Sequence, residues 1–198
     1  MFSKLSNKVI AVEPQPHMLE YLRSLSMWNK NIFIEPCAVS DKNEEIFFHI
    51  STDDTISSAS EVFIDRMKNA RFREHQWNDK IKVNAITLDS LIKKYGVPDF
   101  IKIDVEGFED KALQGLSQPV KNISFEYTCE VIEVASACVN NLHSLSDKYM
   151  FNYTVVDNYY SMALSEFISA AEFIRNVIPK LAQAEPNGDI YARLVDAQ

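Results

Sequence analysis

Short apolar runs alternate along the chain with stretches in which apolar residues recur every three or four positions. The runs have the length of buried strands, and examples lie at 8–12, 101–103 and 122–127. Helical spacing follows the first of them, where Met18 and Leu22 lie one turn apart after a proline. Strands that alternate with helices predict an α/β layered fold.

Three further predictions concern individual segments of the chain. The strands at 37–39 and 46–50 are separated by a polar turn, which is compatible with a hairpin. Residues 51–78 are the least regular, so within a single domain of residues 1–198 we expect a lid or a surface insertion there. The amphipathic spacing over 167–181 predicts a helix that Pro179 kinks or ends early.

Composition narrows the function classes. The 198 residues carry a net charge of −8, which argues against broad nucleic-acid binding because that needs a basic surface. No stretch is long and apolar enough to span a bilayer, and the N-terminus lacks the apolar core of a signal peptide. Cys37, Cys129 and Cys138 have no metal-like spacing, so we expect free thiols and a cytoplasmic location.

The stretch 98–109 carries the strongest candidate chemistry. A short apolar strand ends abruptly at Asp104 and Glu106, and a helix is predicted from Gly107. Open α/β sheets bind ligands just outside the carboxyl ends of their strands, which is where these two carboxylates would lie. They could divide a general-base and a positioning role or bind a hard cation, although the residues name no third metal ligand. The alternative is that one or both cap the helix.

Other strand ends supply further candidates. Glu13 ends the first strand, where nucleotide-binding folds hold ribose hydroxyls, but its position alone favours a solvated charge at a strand end. Asp41 follows another strand and is either a ligand contact or an ordinary turn aspartate. Glu126 would face the same crevice as Asp104 if their two strands are neighbours. The chain has only 4 glycines and no glycine-rich turn after its first strand.

Taken in chain order, the strand that ends at Glu13, the segment that ends at Asp41 and the stretch 98–109 resemble the FkbM family of S-adenosylmethionine-dependent methyltransferases. The resemblance covers roughly residues 8–126, and the segment 99–109 with its Ile-Asp-Val-Glu-Gly sequence is the most specific part. It implies a Rossmann-like methyltransferase fold with a doubly wound, mostly parallel sheet. It also implies O-methylation of a hydroxyl on a sugar or natural-product-like small molecule, with S-adenosylmethionine as cofactor and a glycan as an alternative acceptor.

The resemblance also assigns site residues. Glu13 would bind the cofactor ribose, and Ala38, Val39 and Asp41 would lie near the adenine. Asp104 and Glu106 would face the reacting centre. No resident metal is expected, and a homo-oligomer is compatible with the sequence.

The N-terminal part departs from the family pattern, because no strand and glycine-containing turn precede the strand that ends at Glu13. We therefore expect an N-terminally truncated fold in which the central strand, between those ending at Glu13 and Asp104, is absent. The competing interpretation is a catalytically inactive fragment that needs a partner or the missing N-terminal segment. A nicotinamide-dependent oxidoreductase is disfavoured because the Asp104–Gly107 stretch has no role in it.

Overall fold

Strands and helices alternate along most of the chain in the computed structural model, which describes residues 6–155, 161–183 and 187–195. The strands are β1 (Val9–Val12), β2 (Ile32–Glu35), β3 (Ala38–Val39), β4 (Glu44–Ile50), β5 (Asp79–Ile86), β6 (Ile101–Ile103), β7 (Asn122–Tyr127), β8 (Tyr149–Tyr153), β9 (Ile168–Ser169) and β10 (Gly188–Leu194). The helices are α1 (Pro16–Trp28), α2 (Glu61–Asn69), α3 (Leu88–Tyr95), α4 (Glu109–Gln114), α5 (Ile132–Leu145), α6 (Ala170–Asn176) and α7 (Ile178–Leu181). None of the helices in these ranges has the length and apolarity that a bilayer crossing needs.

The strands form three sheets rather than one. The largest has the order β6-β7-β10-β8-β9, the second has β5 between β3 and β4, and the third contains β1 and β2 alone. The pairs β1–β2, β3–β5 and β6–β7 are parallel, and the others are antiparallel. The α/β fold class is confirmed, but the strand pairing is more mixed than the mostly parallel sheet that the family resemblance implies. The predicted hairpin is wrong because β5 lies between its two strands.

Strands β1 and β6 lie in different sheets and do not pair with each other. Within the described ranges, β1 pairs only with β2 and β6 pairs only with β7, so each strand keeps one unpaired edge. Lys8 at the start of β1 donates to the carbonyl oxygen of Tyr95, shortly before β6, at 2.9 Å. The starts of the two strands are therefore near each other although no hydrogen bond of the sheet joins them.

The main hydrophobic core lies between the five-stranded sheet and the helices from α3 onwards. Ile123 and Phe125 of β7 and Phe151 of β8 are fully buried, as are Leu142 of α5 and Phe173 of α6. The helix predicted over 167–181 begins later, at Ala170, because Ile168–Ser169 form β9 against β8. It is divided near Pro179 as predicted: α6 ends at Asn176 and α7 begins at Ile178. This core fixes β6 and β7 side by side, which positions the acidic residues at their ends.

Residues 51–78 build a second, smaller core against the segment that follows β7. A 3-10 turn at Asp54–Ile56 precedes α2, and the cluster contains Ile56, Phe63, Ile64, Met67, Trp77 and Val131. The Trp77 indole N–H donates to the carbonyl oxygen of Ile56 at 2.9 Å. Whether this segment opens as a lid stays a prediction, but its packed form covers the carboxyl end of β6.

Candidate active site

Three carboxylates meet at the carboxyl ends of β6 and β7. The parallel register places Ile103 opposite Phe125, so the next residues, Asp104 and Glu126, lie side by side. Carboxylate oxygens of Asp104, Glu106 and Glu126 all lie within 4.8 Å of one another. The structure thus brings together the two candidates of the 98–109 stretch and the strand-end glutamate of β7.

The turn between β6 and α4 orients the second of these carboxylates. Glu106 has a φ of 54° and Gly107 a φ of 80°, so the chain reverses sharply after Val105. Glu109 is buried, and its Oε1 accepts the backbone N–H groups of Val105 at 3.1 Å and Gly107 at 3.2 Å. Helix α4 has Phe108 as its N-cap and no side-chain cap, so the predicted alternative in which Asp104 or Glu106 caps the helix is not observed.

Helix α2 packs directly onto this turn. A Cβ placed on Gly107 would lie 2.6 Å from the Cβ of Phe63, so only glycine allows this approach. The Ser58 hydroxyl, which is fully buried, donates to the carbonyl oxygen of Glu106 at 2.6 Å. These two contacts fix the turn from the side of the 51–78 segment.

Burial and mutual repulsion dominate the electrostatics of the cluster. Loss of solvent raises the pKa of Glu106 most, and the negative charges of Glu126, Asp104 and Glu109 raise it further. The pKa of Glu126 is raised for the same two reasons, although a hydrogen bond from Asn187 acts in the opposite direction. Burial raises the pKa of Glu109 to about 7. The cluster therefore holds protons that isolated carboxyl groups would lose.

One lysine partly neutralises the acidic site. The Lys102 ammonium pairs with the carboxylate of Asp189 and lies 3.3 Å from Asp104. Burial alone would lower its pKa, but the charges of Asp104 and Asp189 outweigh burial and raise the pKa. Local sequence patterns do not predict this role of Lys102, because its main partner lies 87 residues away.

A chain of hydrogen bonds connects the 51–78 segment to the cluster. Arg71 binds Glu130 with two donors, Nε at 3.1 Å and Nη2 at 2.8 Å, and its Nη1 donates to the amide oxygen of Asn187 at 3.2 Å. Asn187 in turn donates from Nδ2 to Glu126 Oε1 at 2.7 Å. These residues lack a local sequence signal, because their partners are between 59 and 116 positions away.

A cavity of about 180 Å³ lies between this segment and the sheet. Its lining combines apolar and polar side chains: Thr55, Ile56, Phe63, Arg71, Phe72, Glu106, Thr128 and Asn187. Glu106 is the member of the carboxylate cluster that reaches the cavity wall. A ligand there would contact the acidic site directly.

Glu13 lies at the end of β1, outside the cluster. Its side chain is half-buried and accepts the backbone N–H of Gln15 at 2.7 Å. Burial raises the pKa of Glu13, while the hydrogen bonds from Gln15 oppose that shift. Gln15 is itself buried, and its Oε1 has no hydrogen-bond partner in the described part of the chain. The end of β1 therefore presents two acceptor groups that suit hydroxyl donors.

The remaining predicted cofactor residues surround β3. Ala38 is buried and Val39 is half-buried, and both pair with β5. Asp41 accepts the Ser40 hydroxyl at 3.1 Å and lies 3.6 Å from the Lys111 ammonium. Burial acts to raise the pKa of Asp41, but these two partners outweigh it and the pKa is lowered.

The turn at 53–58 lies between the two parts of the site. Gln15 Nε2 donates to the carbonyl oxygen of Asp54 at 3.3 Å, and His17 lies 3.0 Å from the Asp54 carboxylate. Four residues later, Ser58 binds Glu106. Among the described contacts, Glu13 makes no direct hydrogen bond or ion pair with the cluster, so the turn is the link between them.

Chemically, the cluster can accept or hold a proton, anchor a hydroxyl group or bind a cation. The carboxylate spacing suits a hard cation with oxygen ligands, and Glu126 is the third ligand that the sequence stretch 98–109 does not contain. Because the pKa values of Glu106 and Glu126 are raised, their protonated forms are favoured, and these carboxyl groups can also donate a hydrogen bond to a ligand oxygen.

A family model and a solved structure that match this chain both belong to FkbM methyltransferases. The family model described as the methyltransferase FkbM domain matches residues 2–155. The crystal structure of methyltransferase FkbM from Methylobacillus flagellatus superimposes with a TM-score of 0.53 at 13% sequence identity, over 94% of this chain and 36% of that chain. This chain thus spans about a third of the length of that protein. No curated protein matches the chain.

Proposed function

Because the chain belongs to the FkbM methyltransferase family, we propose that it transfers a methyl group from S-adenosylmethionine to a hydroxyl group of a sugar or another small molecule. The observation that carries this proposal is the meeting of Asp104, Glu106 and Glu126 at one edge of the sheet. Transfer to a hydroxyl needs a group that removes its proton and a group that fixes its oxygen. A cluster of carboxyl groups beside a cavity supplies both.

The end of β1 fits the ribose of this cofactor. Ribose presents two adjacent hydroxyl donors, and the Glu13 carboxylate and the unpaired Gln15 Oε1 are both acceptors. Ala38 and Val39 would contact the adenine from the adjacent strand end, while Asp41, engaged by Lys111, would border it. When bound, the cofactor supplies an electrophilic methyl group on a sulfonium centre.

The residues of the cluster would remove the hydroxyl proton, position the attacking oxygen and bind the acceptor. Asp104 or Glu106 accepts the proton of the acceptor hydroxyl as its oxygen attacks, and the other carboxyl group holds that oxygen in line. Glu126, fixed by Asn187, would bind the acceptor beside them. Lys102 limits the repulsion between the carboxylates.

The test has two measurements on the 198-residue chain. Calorimetric titration with S-adenosylhomocysteine should show micromolar affinity, about −8 kcal/mol. Asp104→Asn should then abolish methyl transfer from labelled cofactor to an acceptor while leaving this affinity unchanged. Asp99→Asn, just before β6, is the matched control because it changes the same kind of side chain away from the site. Unchanged turnover of Asp104→Asn would reject the assignment.

The unpaired edges of β1 and β6 favour a second candidate. Buried backbone groups without partners are costly, so a strand between these edges would complete the sheet. In this case the chain is inactive alone and functions only when a partner or a further N-terminal segment supplies that strand. A folded chain that does not bind S-adenosylhomocysteine, and gains affinity when an upstream segment is added, would support this candidate over the first.

A further inference from the structure

We propose that the cavity beside Glu106 is the acceptor pocket and that it takes a small, hydroxyl-bearing ring without an anionic group, or the terminal ring of a larger acceptor. This inference rests on the proposed function, because it assigns the methyl acceptor of the same site. It adds a location, a size limit and a charge preference that membership of the family does not supply.

The lining of the cavity favours a ring with hydroxyl groups. Ile56, Phe63 and Phe72 form its apolar wall, and ring faces pack well against such surfaces. Glu106 and Thr128 offer polar groups on the same cavity. Within the described residues the Glu106 carboxyl makes no hydrogen bond, although its backbone carbonyl accepts from Ser58, so the carboxyl is available for a hydroxyl of a ligand.

The charges argue against an anionic ligand. Arg71 is the cationic residue of the lining, and Glu130 already binds its guanidinium group with two hydrogen bonds. Lys102, the next cation at the site, is paired with Asp189. A phosphate or carboxylate group in the cavity would therefore face Glu106 without an unengaged counter-charge from these two residues.

The volume sets the size limit. About 180 Å³ is below the 300–1,000 Å³ that is typical of pockets for drug-sized ligands. A single ring fits this limit, whereas a disaccharide or a nucleotide would have to leave most of its atoms outside. The pocket would thus select the terminal unit of any longer acceptor.

Two probes that share one ring test the charge preference. The labelled chain is titrated with trans-cyclohexane-1,2-diol and cyclohexanecarboxylate, and chemical shifts are followed at Ile56, Thr128 and Asn187 by NMR. We expect saturable shifts at these positions with the diol in the millimolar range, and at least tenfold weaker binding of the carboxylate. Binding of the carboxylate as strong as that of the diol would overturn the proposal.

Variants of residues inside and outside the cavity test whether the diol binds there. Thr55 is an exposed lining residue, so Thr55→Trp should block the cavity and weaken diol binding at least fivefold without unfolding the chain. Asp65→Trp on the exposed face of α2 introduces the same side chain outside the cavity and should leave binding unchanged. Glu106→Gln keeps an acceptor oxygen and should bind the diol within threefold of the original chain, whereas Glu106→Leu should lose at least fivefold.

The outcomes separate this inference from the proposed function. Diol shifts at the cavity in a chain that neither binds S-adenosylhomocysteine nor transfers methyl groups would retain the pocket and reject the function. Methyl transfer with an acceptor whose binding leaves Ile56 and Thr128 unshifted, and which Thr55→Trp does not impair, would retain the function and reject the pocket.

Discussion

The contact between α2 and the acidic turn predicts that Gly107 cannot be replaced by alanine. Its φ of 80° is unfavourable for a residue with a Cβ, which costs about 1–3 kcal/mol. The new Cβ would also lie 2.6 Å from Phe63 Cβ, and such overpacking adds about 1–3 kcal/mol. We therefore expect Gly107→Ala to lower the free energy of unfolding by about 2–6 kcal/mol in total.

Gly96 provides the matched control. It has a φ of 91°, but a Cβ there would have no atom within 4 Å, so Gly96→Ala carries the backbone cost alone. Urea unfolding of the two variants, followed by circular dichroism, should place Gly107→Ala about 1–3 kcal/mol below Gly96→Ala. A domain of this size loses about 2–4 °C in Tm for each kcal/mol, so the difference should also be visible on heating.

The same variant tests the link between packing and the site. If Phe63 is displaced, α2 moves away from the turn and the hydrogen bond from Ser58 to Glu106 is weakened. Diol binding at the cavity should then fall. Equal destabilisation by the two alanine substitutions, with unchanged diol binding, would refute the reasoning about this contact.

Three further outcomes follow from individual contacts. The Tyr149 hydroxyl is buried and both donates to and accepts from the backbone of Val120, so Tyr149→Phe should cost about 1–3 kcal/mol in chemical denaturation. The pKa of Glu109 is raised from 4.5 to about 7 in the folded chain, so its contribution to folding stability should be complete below about pH 4.5 and be lost as the pH rises to about 7. Glu109→Gln should reduce that slope, and an unchanged slope in pH-dependent unfolding would contradict the prediction. Glu13→Gln should weaken S-adenosylhomocysteine binding about 10- to 100-fold, as for the loss of a charge-assisted hydrogen bond, with no change expected if Glu13 is only a solvated charge.

Local sequence patterns predicted most elements of the fold. The strand before Asp104 and the division near Pro179 depend on residues close together in the chain, and both are found. The hairpin prediction failed because it assumed that sequential strands pair, whereas β5 pairs with both strands from positions 29 to 47 residues further along the chain, as Ile50 with Asp79 and Ala38 with Ala85 show. The local periodicity of apolar residues does not predict which distant strands pair or in what register.

The sequence likewise predicted some residues of the site and missed others. A strand that ends in two carboxylates indicated the position of Asp104 and Glu106, and the pairing of β6 with β7 adds Glu126. Arg71, Asn187 and Lys102 could not be found in this way, because each acts through a partner more than 50 residues distant. Ion pairs and amide bridges of this kind depend on the completed tertiary structure.

The 53–58 turn gives the separate parts of the site a common support. Asp54 contacts the residues after β1, and Ser58, which is fully buried, binds the carbonyl group of Glu106. A displacement of this turn would therefore change the end of β1 and the acidic cluster together. The proposed methyl transfer would require donor and acceptor to be aligned within a fraction of an ångström of a productive geometry. A shared turn with a buried hydroxyl anchor meets this requirement better than two independently supported sites, because it lets a single element set the distance between them.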